Sequence, residues 1–208
     1  EEAYSLAIIL AEVLGPGNFQ NLVKIYATDA DNDALNTARL ATYAPRQMQE
    51  MPAALQTKYF ELHDGRYVFH KDLRRAVIFG KYDLIQDAPI SRIDLLVCRN
   101  TLMYFNVEAQ QKILNRFAFA TRKGGFLVLG KAEMLLNRFH VRQAQRFGHV
   151  QADIFGFPAL VLNPLLDDRF IPHNFHSRLK NFEGHSRKSI GVQFTQLILI
   201  IVIIRRAQ

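Results

Sequence analysis

A short apolar run with charged residues at both ends constrains the fold of this chain most. Leu95–Cys98 follow Asp94 and precede Arg99 and Asn100. A continuous apolar run of this length predicts a strand buried on both faces, which is typical of parallel sheets. Ligands of open α/β sheets bind at the carboxyl ends of the strands, so Arg99 and Asn100 mark a candidate site. The alternative is a solvated strand end followed by a helix cap.

Along the rest of the chain, segments with the hydrophobic periodicity of helices alternate with segments that have the composition of strands. This alternation predicts an α/β fold with a parallel sheet and helices on both faces. Asp64-Gly65, between two aromatic runs, predicts a two-residue hairpin turn. The predicted helices cover residues 1–14, 31–40 and 107–121, the predicted strands cover 22–28, 73–79, 94–98 and 126–130, and the hairpin covers 59–69.

Asp29 follows the predicted strand 22–28 and is a second candidate residue at a strand end. Two carboxylate oxygens match the two hydroxyls of a ribose, and a carboxylate in this position of an α/β sheet is placed to bind them. The alternative is that Asp29 or Asp31 caps the helix that follows. Both roles are compatible, because three acids lie close together here.

Composition favours one globular domain and disfavours several function classes. The chain has 208 residues, of which 49% are hydrophobic, and its one cysteine excludes an internal disulfide framework. The net charge of +7 is unevenly distributed: residues 1–136 carry 16 Lys/Arg and 15 Asp/Glu, and residues 137–208 carry 10 and 4. Because the basic charge lies in the tail, a nucleic-acid-binding function is disfavoured. No secretory signal is recognisable, and we expect a cytoplasmic protein.

Five segments in order resemble one known family. CRNTLMYF at 98–105 resembles the CRNVLIYF signature of CheR-type chemotaxis receptor methyltransferases, which are protein-glutamate methyltransferases. EEAYSLAI at 1–8 is similar to GEEPYSLA, and the segment 26–43 is similar to FATDIDxxALxxARxGxY. LRRAVIFGKYDL at 73–84 resembles the segment that leads into FxxHNL, and 122–136 resembles the strand that ends in LGxSE.

The resemblance implies a fold and a reaction. The implied fold is a Rossmann-like methyltransferase domain that depends on S-adenosylmethionine, with a small inserted β hairpin or subdomain and an incomplete N-terminus. The implied reaction is methyl transfer to glutamate side chains of a chemoreceptor or another signalling protein. The ending LGKAEMLL at 129–136 resembles the branch fused to esterase and sensor domains, which implies a CheB/CheR hybrid.

The resemblance also implies roles for individual residues. Arg99 and Tyr104 would act on the substrate carboxylate, although without the resemblance a packing role beside Phe105 would be the preferred interpretation of Tyr104. The implied cofactor residues are Glu2 near the methionine moiety (with Glu1 as its alternative), Asp29 at the ribose, Asp83 and Leu84 at the adenine, and Cys98 and Arg99 along the cleft. No metal site is implied. His173 and His176 in the tail lack the partner ligands of a zinc site.

Three departures from the family pattern limit this interpretation. Asp83 replaces an asparagine, and an ionised carboxylate cannot donate to a purine nitrogen, although it accepts from the adenine amino group. Ala41 replaces a common glycine. The family's first strand and glycine turn would precede Glu1, so we expect weak or no methyl transfer from this chain alone. The alternative function is an inactive methyltransferase-fold remnant that acts as a signalling or interaction module.

The resemblance fades after Leu136. We therefore expect a partial methyltransferase domain at 1–136 and a basic tail at 137–208, which carries five of the seven histidines. The change of pattern suggests sequence unrelated to the family, as a reading-frame error or a mispredicted exon would produce. The apolar run within 190–204 is too short for a membrane-spanning helix, and a membrane-surface or aggregation-prone segment is the expectation there.

Overall fold

The computed structural model describes residues 1–129, 149–152 and 198–204. A six-stranded sheet forms its centre, in the order β5-β1-β9-β6-β7-β8. The strands are β1 (Val23–Asp29), β5 (Val77–Lys81), β6 (Ile93–Arg99), β7 (Thr121–Leu129), β8 (His149–Ala152) and β9 (Ile198–Ile204). A second sheet of three strands has the order β2-β4-β3 and contains β2 (Thr42–Tyr43), β3 (Phe60–His63) and β4 (Arg66–Phe69).

Six α-helices accompany the two sheets in the described residues. They are α1 (Glu2–Leu14), α2 (Pro16–Leu22), α3 (Asn32–Leu40), α4 (Ala53–Tyr59), α5 (Lys71–Arg74) and α6 (Val107–Ala120). One core cluster joins α1, α2 and the small sheet to one face of the large sheet, and a second joins α6 to the other face. The predicted α/β fold, Rossmann-like with helices on both faces and a small β subdomain, is confirmed.

The central strand β9 runs against its neighbours. It pairs antiparallel with β1 on one side and with β6 on the other, while the pairs β1–β5, β6–β7 and β7–β8 are parallel. Ile200, Ile201 and Val202 of β9 are buried. The apolar run expected at a membrane surface is therefore a core strand of the sheet. Within the described residues no helix is long and apolar enough to cross a membrane.

Several predicted elements lie where the sequence places them. Asn106 caps α6 by accepting a hydrogen bond from the amide of Ala109 at 2.9 Å. The hairpin turn forms at Asp64 and Gly65, with φ of 47° and 73°. Positive φ at both turn positions matches the twist of the flanking strands, and this is why Asp-Gly predicts such turns.

Two element boundaries differ from the prediction. The predicted strand 73–79 begins only at Val77, because residues 71–74 form α5. Arg122–Gly125 does not cap α6 but belongs to β7, where the pairing with β6 shifts from Ile93–Thr121 to Leu95–Phe126. A Cβ on Gly125 would lie 2.8 Å from the carbonyl oxygen of Ile93, so only glycine allows this close approach.

The sequence predicts a boundary between a domain at 1–136 and a tail at 137–208, and the structure describes the tail only in part. Strands β8 and β9 both come from the 137–208 segment and join the same sheet as β1 and β6. His173 and His176 lie outside the described residues. The boundary after Leu136 and the foreign origin of the tail stay predictions.

Candidate active site at the carboxyl edge of the sheet

The carboxyl ends of β1 and β6 lie at the same edge of the sheet. Register places Thr28 opposite Leu199 and Arg99 opposite Ile198, so β9 separates Asp29 from Arg99. Two strand spacings correspond to about 10 Å between the strands that carry these residues. This edge of the sheet therefore carries a carboxylate at the end of β1 and a guanidinium at the end of β6.

Arg99 forms a partly buried ion pair with Glu2. Its Nη1 donates to Oε1 of Glu2 at 2.7 Å, and the side chains are 17% and 2% exposed. The pair joins the start of α1 to the end of β6 across 97 positions of the chain. Glu1, the alternative to Glu2, instead accepts a hydrogen bond from Gln47 at 3.0 Å on the exposed side. The geometry therefore favours Glu2 over Glu1 as the residue beside Arg99.

Asp29 is a buried carboxylate that shapes the turn into α3. Its Oδ1 accepts from the amide of Asp31 at 2.9 Å, and Asp31 in turn caps α3 by accepting from the amide of Asp33. Burial raises the pKa of Asp29 above its usual value, and the backbone hydrogen bonds from Asp31 and Ala30 oppose this rise. The capping role considered in the sequence thus belongs to Asp31, while Asp29 accepts backbone hydrogen bonds within the turn that precedes the helix.

Asp83 and Leu84 follow β5 in a compact turn. Oδ1 of Asp83 accepts from the amides of Ile85 and Gln86 at 2.7 and 3.0 Å, and these two hydrogen bonds lower the pKa of Asp83. The carboxylate that replaces the family's asparagine thereby stabilises its own turn. Leu84 is half-buried and packs against the core below α6.

Arg116 attaches this turn to α6, and the sequence analysis did not identify it. Its Nη1 donates to the carbonyl of Ile85 at 3.1 Å. A cation in the middle of an amphipathic helix gives no sequence signal for such a contact, because most such cations face solvent.

Cys98 and Tyr104 occupy contrasting environments. The side chain of Cys98 is 0% exposed and belongs to the core cluster below α6. Tyr104 lies in a 3₁₀ turn, Leu102–Tyr104, just beyond β6 and is 67% exposed. An aromatic packing role for Tyr104 does not fit this exposure, and its hydroxyl is accessible to a substrate. The lining role of Cys98 stays a prediction.

The backbone turns sharply after Arg99. Asn100 has φ of 51°, a left-handed conformation that asparagine tolerates better than most residues. Thr101 is buried, and its hydroxyl donates to the carbonyl of Arg99 at 2.9 Å. Strained backbone of this kind recurs at functional sites, and here it directs the chain from β6 into the turn that carries Tyr104.

Gln110 is a supporting residue that the sequence analysis missed. It is buried in α6, and its Nε2 donates to the carbonyls of Leu102 at 3.0 Å and Phe105 at 2.8 Å. Both acceptors flank Tyr104, so one amide holds both ends of its turn. Gln110 lies on the apolar face of α6, three positions before Ile113. A polar residue at such a position was the sequence signal that could have predicted a buried hydrogen-bonding role.

We expect Gln110→Met to loosen this turn. Methionine keeps the length but removes one donor from each carbonyl; Leu102 still accepts from the amide of Phe105, and the loss costs about 1–3 kcal/mol of unfolding free energy. Gln111→Met, at the half-exposed neighbouring position, is the matched control and should change stability little. Chemical denaturation of both variants measures the difference, and equal midpoints for Gln110→Met and the unmodified protein would contradict this role.

Comparison with known families agrees with this geometry. A model of the family described as CheR methyltransferase, SAM binding domain, matches residues 1–150. The chain belongs to this family. The cofactor of this domain is S-adenosylmethionine, as the resemblance implied.

Relatives of known name match over the same region. A chemotaxis protein methyltransferase of Listeria innocua is 34% identical over 137 residues, which cover 66% of this chain and 51% of that protein. The chemotaxis protein methyltransferase of Escherichia coli is 31% identical over 141 residues, covering 64% and 48%. An uncharacterized 104.1 kDa protein of Rhodobacter capsulatus is 35% identical over 136 residues, covering 65% and 14%. The chain spans about half the length of the chemotaxis methyltransferases it matches.

The residues at this edge suit the chemistry of S-adenosylmethionine. The cofactor carries a ribose diol and an ammonium group, and Asp29 and Glu2 are carboxylates that accept hydrogen bonds from such donors. Both carboxylates are buried, which strengthens their interaction with a cation or a donor. Among the described residues, no group of three or more His, Cys, Asp and Glu side chains is arranged to hold a metal ion.

Proposed function

We propose that this CheR-family domain takes part in methyl transfer from S-adenosylmethionine to a glutamate side chain of a chemoreceptor or similar signalling protein. The observation that carries the proposal is the Glu2–Arg99 pair, which lies at the same carboxyl edge of the sheet as Asp29, with β9 between them. This edge combines acceptors for the cofactor with a donor for the substrate carboxylate.

Glu2 and Asp29 would hold the cofactor from the two sides of β9. Asp29 accepts from the ribose hydroxyls, and Glu2 lies at the amino group of the methionine moiety. Asp83 and Leu84 would flank the adenine. Oδ1 of Asp83 already accepts two backbone hydrogen bonds, so Oδ2 is the oxygen available to the adenine amino group.

Arg99 and Tyr104 would act on the substrate carboxylate. When bound, the cofactor supplies an electrophilic methyl group. A glutamate carboxylate is ionised at neutral pH, so the chain need not provide a general base. Arg99 orients the carboxylate with paired donors, and the exposed Tyr104 hydroxyl donates to one of its oxygens. Positioning of this kind contributes several kcal/mol to the rate of a reaction between two bound molecules.

We expect Asp29→Asn to weaken S-adenosylmethionine binding roughly 10- to 100-fold, the range for losing hydrogen bonds to a charged acceptor. Because the pKa of Asp29 is raised, acidification should weaken binding at a higher pH than for an ordinary aspartate. Protonation removes acceptor capacity, so affinity falls as the pH decreases, and this component is absent in Asp29→Asn. Calorimetry across a pH series, with Asp31→Asn as the matched control, measures both effects. Equal affinities of the two variants would contradict the role of Asp29.

One experiment separates an active enzyme from the inactive signalling module. Purified protein is incubated with methyl-labelled S-adenosylmethionine and a chemoreceptor cytoplasmic fragment, and base-released labelled methanol reports a glutamate methyl ester. Ester formation supports the enzyme. Cofactor binding without ester formation supports the module, and absent cofactor binding refutes the proposed function.

We further propose that the domain belongs to a longer cytoplasmic protein that combines methyltransferase and esterase functions. The motif LGKAEMLL supports the esterase branch, and the Rhodobacter capsulatus relative, of which the match covers 14%, is an example of such a domain within a longer protein. We also propose that residues 1–136 are the part of the methyltransferase domain that follows the family pattern, and that the basic tail at 137–208, although it supplies β8 and the central strand β9, is not native family sequence.

A further inference from the structure

Arg116 is a half-buried cation with two donors that the chain itself does not satisfy. Its Nη1 donates to the carbonyl of Ile85 at 3.1 Å. Its Nε and Nη2 are shielded from solvent, and within the part of the chain that the structure describes neither atom has a hydrogen-bond partner. Burying the donors of a charged group without an acceptor is unfavourable, so these two atoms favour an acceptor from outside the chain.

The same guanidinium lines a pocket between α6, the turn after β5 and the large sheet. The pocket measures about 250 Å³ with its open mouth included, and its interior is narrow. Sites for drug-sized ligands are usually larger, about 300–1,000 Å³, so this pocket suits a small and slender molecule. Arg116 is the one charged side chain among the described residues that line it, and most of the others are apolar, including Leu84, Pro89, Ile90, Ile93 and Phe117.

The pocket lies away from the edge of the sheet that carries the candidate active site. Ile93 and Ala120, which both line the pocket, are the first residue of β6 and the last residue of α6. Arg99 is the last residue of β6. At about 3.3 Å per residue, the two ends of this strand lie about 20 Å apart. Leu84 is the residue that the pocket shares with the proposed adenine site.

The geometry of the two donors matches a carboxylate. Nε and Nη2 lie on one edge of the planar guanidinium, and donors on one edge bind both oxygens of a carboxylate in parallel. A phosphate would fit the same edge, but its remaining charged oxygens would face apolar walls. A neutral ligand would leave the charge of Arg116 without compensation. A short alkyl chain, in contrast, is compatible with the apolar lining.

Asp83 compensates the charge of Arg116 only in part. The pKa of Asp83 is lowered mainly by the backbone hydrogen bonds from Ile85 and Gln86, and to a smaller extent by the charge of Arg116. The two charges therefore lie near each other. Asp83 nevertheless supplies no acceptor to Nε or Nη2, since both atoms are without a partner among the described residues.

We propose that this pocket is a binding site for a short, unbranched carboxylate. Its two oxygens accept from Nε and Nη2 of Arg116, and its alkyl chain lies among apolar residues such as Ile93 and Phe117. The site is independent of the proposed function, because it uses neither Asp29 nor Arg99. A ligand with so few atoms binds weakly, with a dissociation constant on the order of 1 mM.

The test is an NMR titration of the full ¹⁵N-labelled chain with sodium butyrate, in a buffer free of carboxylates and phosphate. The Nε–H resonances of the arginine side chains report binding, and Arg116→Met identifies the resonance of Arg116 by its loss. We expect butyrate to shift this resonance saturably. Butanol, which lacks the charge, and inorganic phosphate, which lacks the alkyl chain, should not shift it comparably.

Variants locate the site at Arg116. Saturation-transfer NMR of butyrate measures their affinities, and Arg116→Met should bind about 10- to 100-fold more weakly, the range for losing hydrogen bonds to a charged group. Lys112→Met is the matched control, because Lys112 is exposed on α6 one turn earlier, and it should bind like the unmodified protein. If Arg116→Met does not fold, Arg116→Lys keeps the charge but not the paired donors and replaces it in both experiments.

Four outcomes would overturn the inference. Absent butyrate binding well above the expected dissociation constant would mean that water alone satisfies the two donors. Equal binding by Arg116→Met, or an equal shift with phosphate, would show that these donors do not recognise a carboxylate. Displacement of butyrate by S-adenosylhomocysteine would place the probe in the cofactor site. Failure of S-adenosylhomocysteine to bind at all counts against the proposed function alone.

Discussion

Val202→Asp is expected to abolish cooperative folding of the whole domain. Val202 is 0% exposed and lies opposite Ile25 of β1 and Leu95 of β6. An ionised carboxylate there would have no partner in the apolar core. The free-energy cost of burying it exceeds the unfolding free energy of about 5–15 kcal/mol that a domain typically has. The expected result is an insoluble or uncooperatively unfolding protein, measured by circular dichroism during thermal denaturation.

Ile78→Asp is the matched control for this experiment. Ile78 is 42% exposed on β5, an edge strand of the sheet, so its aspartate remains hydrated. We expect at most a small loss of stability from it. If Val202→Asp were tolerated as well as Ile78→Asp, β9 would not be a central strand.

An engineered disulfide between β1 and β9 tests the position of β9 without relying on a change in stability. Lys24 and Ile203 are register partners and both are half-buried, so Lys24→Cys with Ile203→Cys should form a cross-strand disulfide on mild oxidation. Lys24→Cys with Val202→Cys should not, because successive residues of a strand face opposite sides. Both pairs are made in a Cys98→Ala background, and mass spectrometry of proteolytic fragments identifies the bond.

Arg99→Met is expected to lower both stability and methyl transfer. The substitution leaves the carboxylate of Glu2 buried without this partner, which costs about 3–5 kcal/mol of unfolding free energy. It also removes the donors that orient the substrate carboxylate, and misplacement of a reacting group costs roughly 100-fold in rate. Denaturant unfolding and the labelled-methanol assay measure the two effects.

The double variant Glu2→Gln with Arg99→Gln separates these effects. Two amides restore a neutral hydrogen-bonded pair, so most of the stability should return, while methyl transfer should stay low. Arg66→Gln, at an exposed position of the hairpin, is the control for loss of a cation. Recovery of activity in the double variant would contradict a direct role of Arg99 at the substrate.

Local patterns predicted most of the individual elements correctly. The run Leu95–Cys98 is a strand because four apolar residues in a row are stable only when both faces of the strand are covered. Asn106 and Asp31 begin helices because their side chains accept from amides that the helix leaves without partners. The strand-end positions of Asp29 and Arg99 follow from the same local signals.

Interactions between distant segments account for the errors. Arg122–Gly125 has the composition of a helix end, but its backbone joins β7, where Arg122 pairs with Asp94. The segment Ile198–Ile204 is apolar enough to form a membrane-surface segment, an aggregation-prone segment or a core strand. It becomes a core strand because β1 and β6 each present a free edge on which it can complete its hydrogen bonds.

The amino-acid sequence alone was sufficient for the α/β class, the family and the positions of Asp29 and Arg99 at strand ends, since periodicity, capping and motif order are properties of neighbouring residues. Three features required the folded chain: the choice of Glu2 over Glu1 as the partner of Arg99, the two hydrogen bonds of Gln110, and the insertion of β9 between β1 and β6. Each depends on segments that meet only after the sheet has formed, and no local pattern encodes the distance between them.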